Sequence, residues 1–479
     1  MPDNPKRLFF LLPALLAILL VGSEIVERSM YTDGVAYAGI SKNLANGIGT
    51  FWNPKLSEVH NYDFHSHPPL MFGLQSLVFR VFGDGLVSER IYTLLVFLLS
   101  AWLMIVLWRE ALRDRPGLAK IWFLPLTIWL ANEVVYHFYA ANILEPTMTA
   151  FTLGAVYLGL LSLRENTPPR LTYTLAFAAG LLVFLATLTK GVVGLFPLAF
   201  YGIHWLIYRR QSLAQALFCT LLMVFAVVGL YVVLFQFAAP AEALRDYFST
   251  QVLSSLNSEY AHMAHHRADR TYIIRKGLAI ILPAVVISAL LFYAGRRKGA
   301  TWRVDSPSTK AAFLFLTLAL AAFLPLAISP KQSFYYLLPS MAYFALGFSL
   351  FIAPAAAHLY ELKLSRKWQL ALVIGTALLA VAATINTTRH WGAVNSRDRV
   401  VLNDIDEMNA VVPAGATIGA VGDARDMVSY FARISNVSLD TTQSTAKDYA
   451  YFIVPMDSVN TTGTRVPLRT EKYELWRRQ

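Results

Sequence analysis

What most constrains this chain is a run of eleven long apolar blocks, at 8–23, 87–108, 121–140, 146–163, 171–188, 191–208, 213–238, 276–294, 311–328, 333–356 and 368–385. Most are near the roughly 17–25 residues that a helix needs to cross a hydrocarbon core. In lipid no water satisfies a backbone N–H or C=O, so such blocks must be helices that close their own hydrogen bonds. Only 15% of the residues are charged and the mean hydropathy is +0.48, whereas a soluble chain carries about 25% charged residues. Cys219 is the only cysteine, which excludes an intramolecular disulfide and a cysteine metal cage. A soluble enzyme, a secreted disulfide scaffold and a disordered chain are all ruled out. The chain reads as an α-helical integral membrane protein with about eleven transmembrane helices.

Topology follows from where the basic residues fall. Lys6 and Arg7 precede the first block, and no small-residue cleavage site follows it, so an uncleaved anchor is expected. Residues 70–82 are apolar but short and contain Gln75 and Arg80, which fits an interfacial helix better than a span. With that segment left out, the Arg- and Lys-rich connections at 109–120, 209–210, 295–310 and 361–367 all share the side of the N-terminus. The positive-inside rule then makes that side cytoplasmic. The net charge of +11 is accordingly an orientation signal, and no nucleic-acid partner is expected.

Two long loops, 24–86 and 239–275, face the outside in this reading. The first contains TDGVAYAGISKNLANG, with Ala36, Tyr37, Ile40 and Leu44 at helical spacing and Asn46-Gly47 as a C-cap. Two domains are expected: 1–385 in the membrane and a small extracytoplasmic α/β domain at 386–479. In the latter, DRVVLNDIDEMNAVV and ARDMVSYFARIS read as helices. ATIGAVGD, YAYFIVPM and EKYELWRR read as strands.

Ionisable residues beside lipid are costly and are functional candidates by default. The expected topology collects several at its outer joints: Asp33, Glu145, Lys190, and Lys331 with Tyr335 and Tyr336. Taken singly, each has an ordinary structural reading. Asp33 can cap its helix, Glu145-Pro146 suits a first helical turn, a terminal lysine snorkels, and paired tyrosines fit an aromatic belt. Their joint placement suits a lipid-borne substrate with a polar head.

In order along the chain, TDGVAYAGISKNLANG, HSHPPLMFGLQSLVFRVFG, NILEP, LATLTKGVVGLFP and SPKQSFYYLLP resemble the bacterial relatives of protein O-mannosyltransferases and aminoarabinose–lipid A transferases. Those are glycosyltransferases of the GT-C fold that use polyprenyl-phosphate-linked sugars, and the resemblance covers roughly residues 5–350. It implies that Asp33 is the catalytic carboxylate and Glu145 a second acidic residue near the sugar. Gly34 stands where a second acidic residue is often found. His67, Lys190, Lys331, Tyr335 and Tyr336 are implied to line the donor phosphate and sugar site. Glu259, His262, His265 and His266 match a loop that holds a metal in some relatives, although the chemistry requires no cofactor. The expected function is inverting sugar transfer from a polyprenyl-phosphate donor to a hydroxyl or phosphate acceptor on lipid A, another glycan or glycolipid, or a protein. It would take place on the periplasmic face of a bacterial inner membrane. The alternative is a lipid or sugar transporter, against which the absence of a visible repeat and of midplane charges counts.

Overall fold

The computed structural model describes residues 5–59, 64–253, 271–304, 306–329, 332–422, 424–442, 448–458 and 463–478. Among these, nine helical segments are long and apolar enough to cross a membrane, from Pro5–Ile25 to Arg366–His390. The sequence reading had eleven, and the difference lies in two places. Block 121–140 is two short helices, Phe123–Leu130 and Glu133–Ala140, parted by a turn at Ala131 and Asn132. Blocks 171–188 and 191–208 are continuous as Pro169–Tyr208, but the chain reverses between them. At one end of helix Leu144–Ser162, Lys190 pairs with Glu145. At the other, Tyr201 and Thr172 both bond Ser162. Gly191 makes the reversal possible: its φ is +75°, which L side chains avoid, and a Cβ there would lie 1.7 Å from the Tyr247 hydroxyl oxygen.

The chain divides into two compact units. One comprises 1–24, 95–140 and 144–389 and holds most of the apolar helices; the other comprises 25–94, 141–143 and 390–479. The C-terminal residues therefore share a unit with the first long loop.

In this second unit, helix Thr32–Ala45 ends at Asn46 with Gly47 at φ +81°, as the Asn-Gly pair foretold. Its amphipathic spacing implied one wet face, but residues 37–44, including Ser41, Lys42 and Asn43, are all buried. Part of that cover comes from the C-terminal residues: the Lys42 ammonium donates to the Ser435 carbonyl at 2.6 Å. The short segment at 70–82 is the helix Leu70–Phe82, which buries Met71, Phe72, Gln75, Ser76 and Phe79 and leaves Leu77, Val81 and Phe82 exposed.

The C-terminal helices form at Ser396–Asn409 and Arg425–Ile434. The strands are β1 (Thr417–Ala420), β2 (Ser438–Asp440), β3 (Tyr451–Pro455), β4 (Thr464–Arg465) and β5 (Tyr473–Arg477), of which β2 and β4 went unforeseen. The sheet order is β2-β1-β3-β5-β4, parallel across β2-β1-β3 and antiparallel beyond. Met30 and Val35 of the first loop are built into the same apolar core as Leu402, Ile405, Ile418, Phe431 and Leu475. A side chain of this size contributes roughly 1.5–3 kcal/mol when fully buried. The loop and the C-terminal residues thus stabilise one another.

Candidate active site

Four of the residues singled out from sequence meet in the helical unit. Glu145 sits in the first turn of Leu144–Ser162 and Lys190 is the last residue of Pro169–Lys190. They form a direct ion pair in which both side chains are buried. The Lys190 ammonium also lies 5.4 Å from the ring centroid of Tyr335 and 4.7 Å from that of Tyr336, within range for cation–π attraction. The two rings meet edge to face at 4.9 Å, and Phe138 abuts Tyr335 at 5.3 Å and Phe334 at 5.1 Å. The Tyr247 hydroxyl donates to the Lys190 carbonyl at 3.4 Å, holding the end of the lysine's helix. Leu144–Ser162, Pro169–Lys190 and the short helix Phe334–Leu337 therefore meet at a single buried cation.

The chemistry of such an arrangement is specific. Lysine is a compact point charge on a flexible stem, so it can exchange one anionic partner for another without realigning a planar group. Aromatic faces stabilise the cation without claiming its donors. A phosphate oxygen arriving here would find a positive charge already desolvated, where its electrostatic effect is larger than in water.

Asp33 and His67 lie in the other unit. Asp33 is half-buried in the first turn of Thr32–Ala45, where a carboxylate also interacts favourably with the helix dipole. Tyr37, one turn further on, meets the His67 ring edge to face at 5.8 Å and Phe72 at 5.5 Å. The neighbour of Asp33 has a steric reason to be glycine. A Cβ on Gly34 would lie 1.9 Å from the Ala141 carbonyl oxygen, so an acidic side chain has no room there.

Sequence reasoning passed over the residue that holds this close approach. Asn142 takes a left-handed conformation, φ +55°, and its amide donates to the Gly34 carbonyl at 3.1 Å. Gln75 donates to the Asn142 side-chain oxygen at 2.6 Å, and the Thr93 hydroxyl reaches the same oxygen at 3.5 Å. The polar Gln75 in a largely apolar helix was the available signal: it is fully buried and donates to Asn142.

Lys331 and the histidine loop with Glu259, His262, His265 and His266 lie outside the described residues. Among the described residues no cluster of three His, Cys, Asp or Glu side chains is arranged to hold a metal ion.

Comparison with known proteins agrees with this architecture. Over 98% of its length the chain superposes on the crystal structure of ArnT from Cupriavidus metallidurans bound to undecaprenyl phosphate, covering 97% of that chain, with a TM-score of 0.65 at 14% identity. The apo form of the same protein gives a TM-score of 0.62 at 14% identity, over 97% of each chain. The fold is thus the GT-C fold, a multi-pass membrane architecture with a small C-terminal sheet. In sequence, residues 66–235 match the family described as dolichyl-phosphate-mannose-protein mannosyltransferase. The chain is also similar to undecaprenyl phosphate-alpha-4-amino-4-deoxy-L-arabinose arabinosyl transferase 1 of Proteus mirabilis, at 25% identity over 225 residues. That match covers 46% of this chain and 37% of the relative.

Proposed function

We propose that the protein is an inverting glycosyltransferase that moves a sugar from a polyprenyl-phosphate carrier to a hydroxyl or phosphate acceptor on a lipid, glycan or protein. The observation that carries this reading is the buried Glu145–Lys190 pair beneath Tyr335 and Tyr336. A desolvated cation with an exchangeable partner suits a leaving phosphate that gains charge as the sugar departs. Likeness to a transferase named for an undecaprenyl-phosphate sugar supports the carrier class.

In the proposed reaction Asp33 accepts the acceptor hydroxyl's proton while the acceptor oxygen attacks the anomeric carbon. The bond from that carbon to the carrier phosphate breaks with inversion, and its electron pair leaves on the phosphate. Lys190, with Lys331 and hydroxyl donation from Tyr335 or Tyr336, stabilises that charge. Glu145 holds Lys190 until the phosphate replaces it, and His67 borders the sugar. The site faces the periplasm of a bacterial inner membrane, with the N-terminus in the cytoplasm and the C-terminal residues outside. No metal is needed for these steps. A divalent ion held by Glu259, His262, His265 and His266 would show itself as turnover lost to a chelator and restored by metal.

Purified protein should form a glycosidic product from a polyprenyl-phosphate sugar in detergent, whereas a flippase forms none. A positioned general base contributes about 10²–10⁴-fold. Asp33→Asn should therefore lower turnover by about that factor and leave donor binding intact; near-normal turnover would overturn the assignment. Lys190→Met should weaken both donor use and rate.

A further inference from the structure

The backbone leading into Asp33 is gripped in an unusual way. Four consecutive carbonyls, those of Glu27, Arg28, Ser29 and Met30, each accept from an arginine. Arg90 donates to Glu27 at 2.8 Å and to Ser29 at 2.7 Å, Arg433 donates to Arg28 at 3.1 Å, and Arg397 donates to Met30. Arg397 also donates to the Thr32 hydroxyl at 3.2 Å, one residue before Asp33. Two of the three arginines come from the C-terminal residues, more than 360 positions away in the chain.

Two of the three guanidinium groups are in turn oriented. Arg397 makes two bonds to Asp398, at 2.6 and 3.0 Å, and Asp398 is fully buried and accepts from the Tyr430 hydroxyl at 2.6 Å. Arg433 is held by Glu89 through two donors at 2.9 and 2.5 Å, with both side chains 1% exposed. The Ser29 hydroxyl completes the link by accepting from the Asn395 N–H at 2.8 Å. The helix Thr32–Ala45 has no side-chain N-cap of its own. Its first turn is located by these contacts in place of a cap.

We infer that Arg397, Arg433 and Arg90 are positioning residues for Asp33, and that the C-terminal residues are part of the reaction apparatus and not an appended binding module. The inference rests on the assignment of Asp33 as the base. A carboxylate that must meet a hydroxyl within hydrogen-bond distance tolerates little displacement, and a 1 Å misplacement can cost on the order of 10²-fold. An arginine that bridges two neighbouring backbone positions fixes both location and direction, which a flexible ammonium does less well.

The test uses the full-length protein and steady-state kinetics with a purified polyprenyl-phosphate sugar. Arg397→Met is the informative variant because the Arg397 side chain is partly exposed, whereas that of Arg433 is buried. We expect kcat to fall by about 10- to 100-fold with donor KM unchanged. Hydrogen exchange should accelerate in peptides covering 27–34 but not in those covering 169–190. Arg397→Lys, which keeps the charge but on a single donor nitrogen, should recover part of kcat. Thr32→Val removes a single acceptor and should lower kcat less, with no further loss in combination with Arg397→Met. A purely structural role would lower the thermal midpoint or the active fraction and leave kcat per active molecule unchanged; that result overturns the inference. If Asp33→Asn turns over normally, the assignment of the base fails and the positioning role with it. If Asp33→Asn is inactive while Arg397→Met keeps a normal kcat, only the positioning role fails.

Discussion

Among the described residues each unit of the molecule holds a carboxylate–cation pair with both side chains buried, Glu89–Arg433 in one and Glu145–Lys190 in the other, and these two are built for opposite purposes. Glu89–Arg433 brings two guanidinium donors to one carboxylate oxygen, and Arg433 also donates to the Arg28 carbonyl. Glu145–Lys190 is a contact between a carboxylate and a point charge, with tyrosine faces around the ammonium. An arginine committed to a carboxylate and a carbonyl cannot change partner without leaving buried groups bare, which costs several kcal/mol. A lysine with one carboxylate and two ring faces can. The first pair is a fixture, and the second has the make-up of an exchangeable site.

The largest expected effect breaks the fixture. Glu89→Ala leaves the Arg433 guanidinium buried without its anion and should cost about 3–5 kcal/mol. Thermal unfolding in detergent measures this, and an unchanged midpoint would mean that the pair carries no structural role.

Next comes the packing that accompanies the fixture. Gly34→Ala places a Cβ against the Ala141 carbonyl, and overpacking of this kind costs about 1–3 kcal/mol. Turnover should fall as well, because the added methyl displaces the turn that carries Asp33. A fully active Gly34→Ala protein would show that the close approach is dispensable.

Smaller still is the stability change from neutralising the exchangeable pair. Replacing a buried ion pair by uncharged groups of similar volume is often close to neutral. The double variant Glu145→Gln/Lys190→Met should stay within about 1 kcal/mol of the parent while losing sugar transfer. A large destabilisation would make this pair a fixture too and erase the contrast.

The last effect is confined to alkaline pH and concerns Lys42, whose burial lowers its pKa to about 8 from the ordinary 10.5. Between those values the unfolded chain binds a proton that the folded chain has released, so stability should rise with pH across that window. Below about pH 8 both states are charged, and the desolvation cost is felt in full. Lys42→Met should flatten the rise in thermal midpoint between pH 8 and 10; an identical slope in both proteins would remove Lys42 as its source.

Much of the fold was legible because its signals are local. Helix Thr32–Ala45 and its Asn46-Gly47 end, helix Leu70–Phe82, both C-terminal helices and three of the five strands follow from periodicity and turn chemistry. The two missed strands are three and two residues long, too short to show alternation. In the candidate site, Glu145, Lys190, Tyr335 and Tyr336 were visible as polar residues at the joints of apolar blocks. Asn142 was not, because its role depends on a backbone turn and on Gln75, 67 positions away. Arg397 and Arg433 looked like ordinary surface charges of a polar domain, since nothing in their neighbourhood in sequence points to residues 27–32.

The sequence by itself determined that this chain lives in a membrane, roughly where most of its apolar helices lie, and which kinds of polar residue interrupt them. Those properties follow from hydrocarbon thickness and from the 3.6-residue period, both of which act along the chain. Only the tertiary structure decided that the first long loop and the last ninety residues share one core, and that arginines from the far end hold the carbonyls before Asp33. A guanidinium finds a backbone carbonyl by the path of the whole chain, and no local pattern records that path.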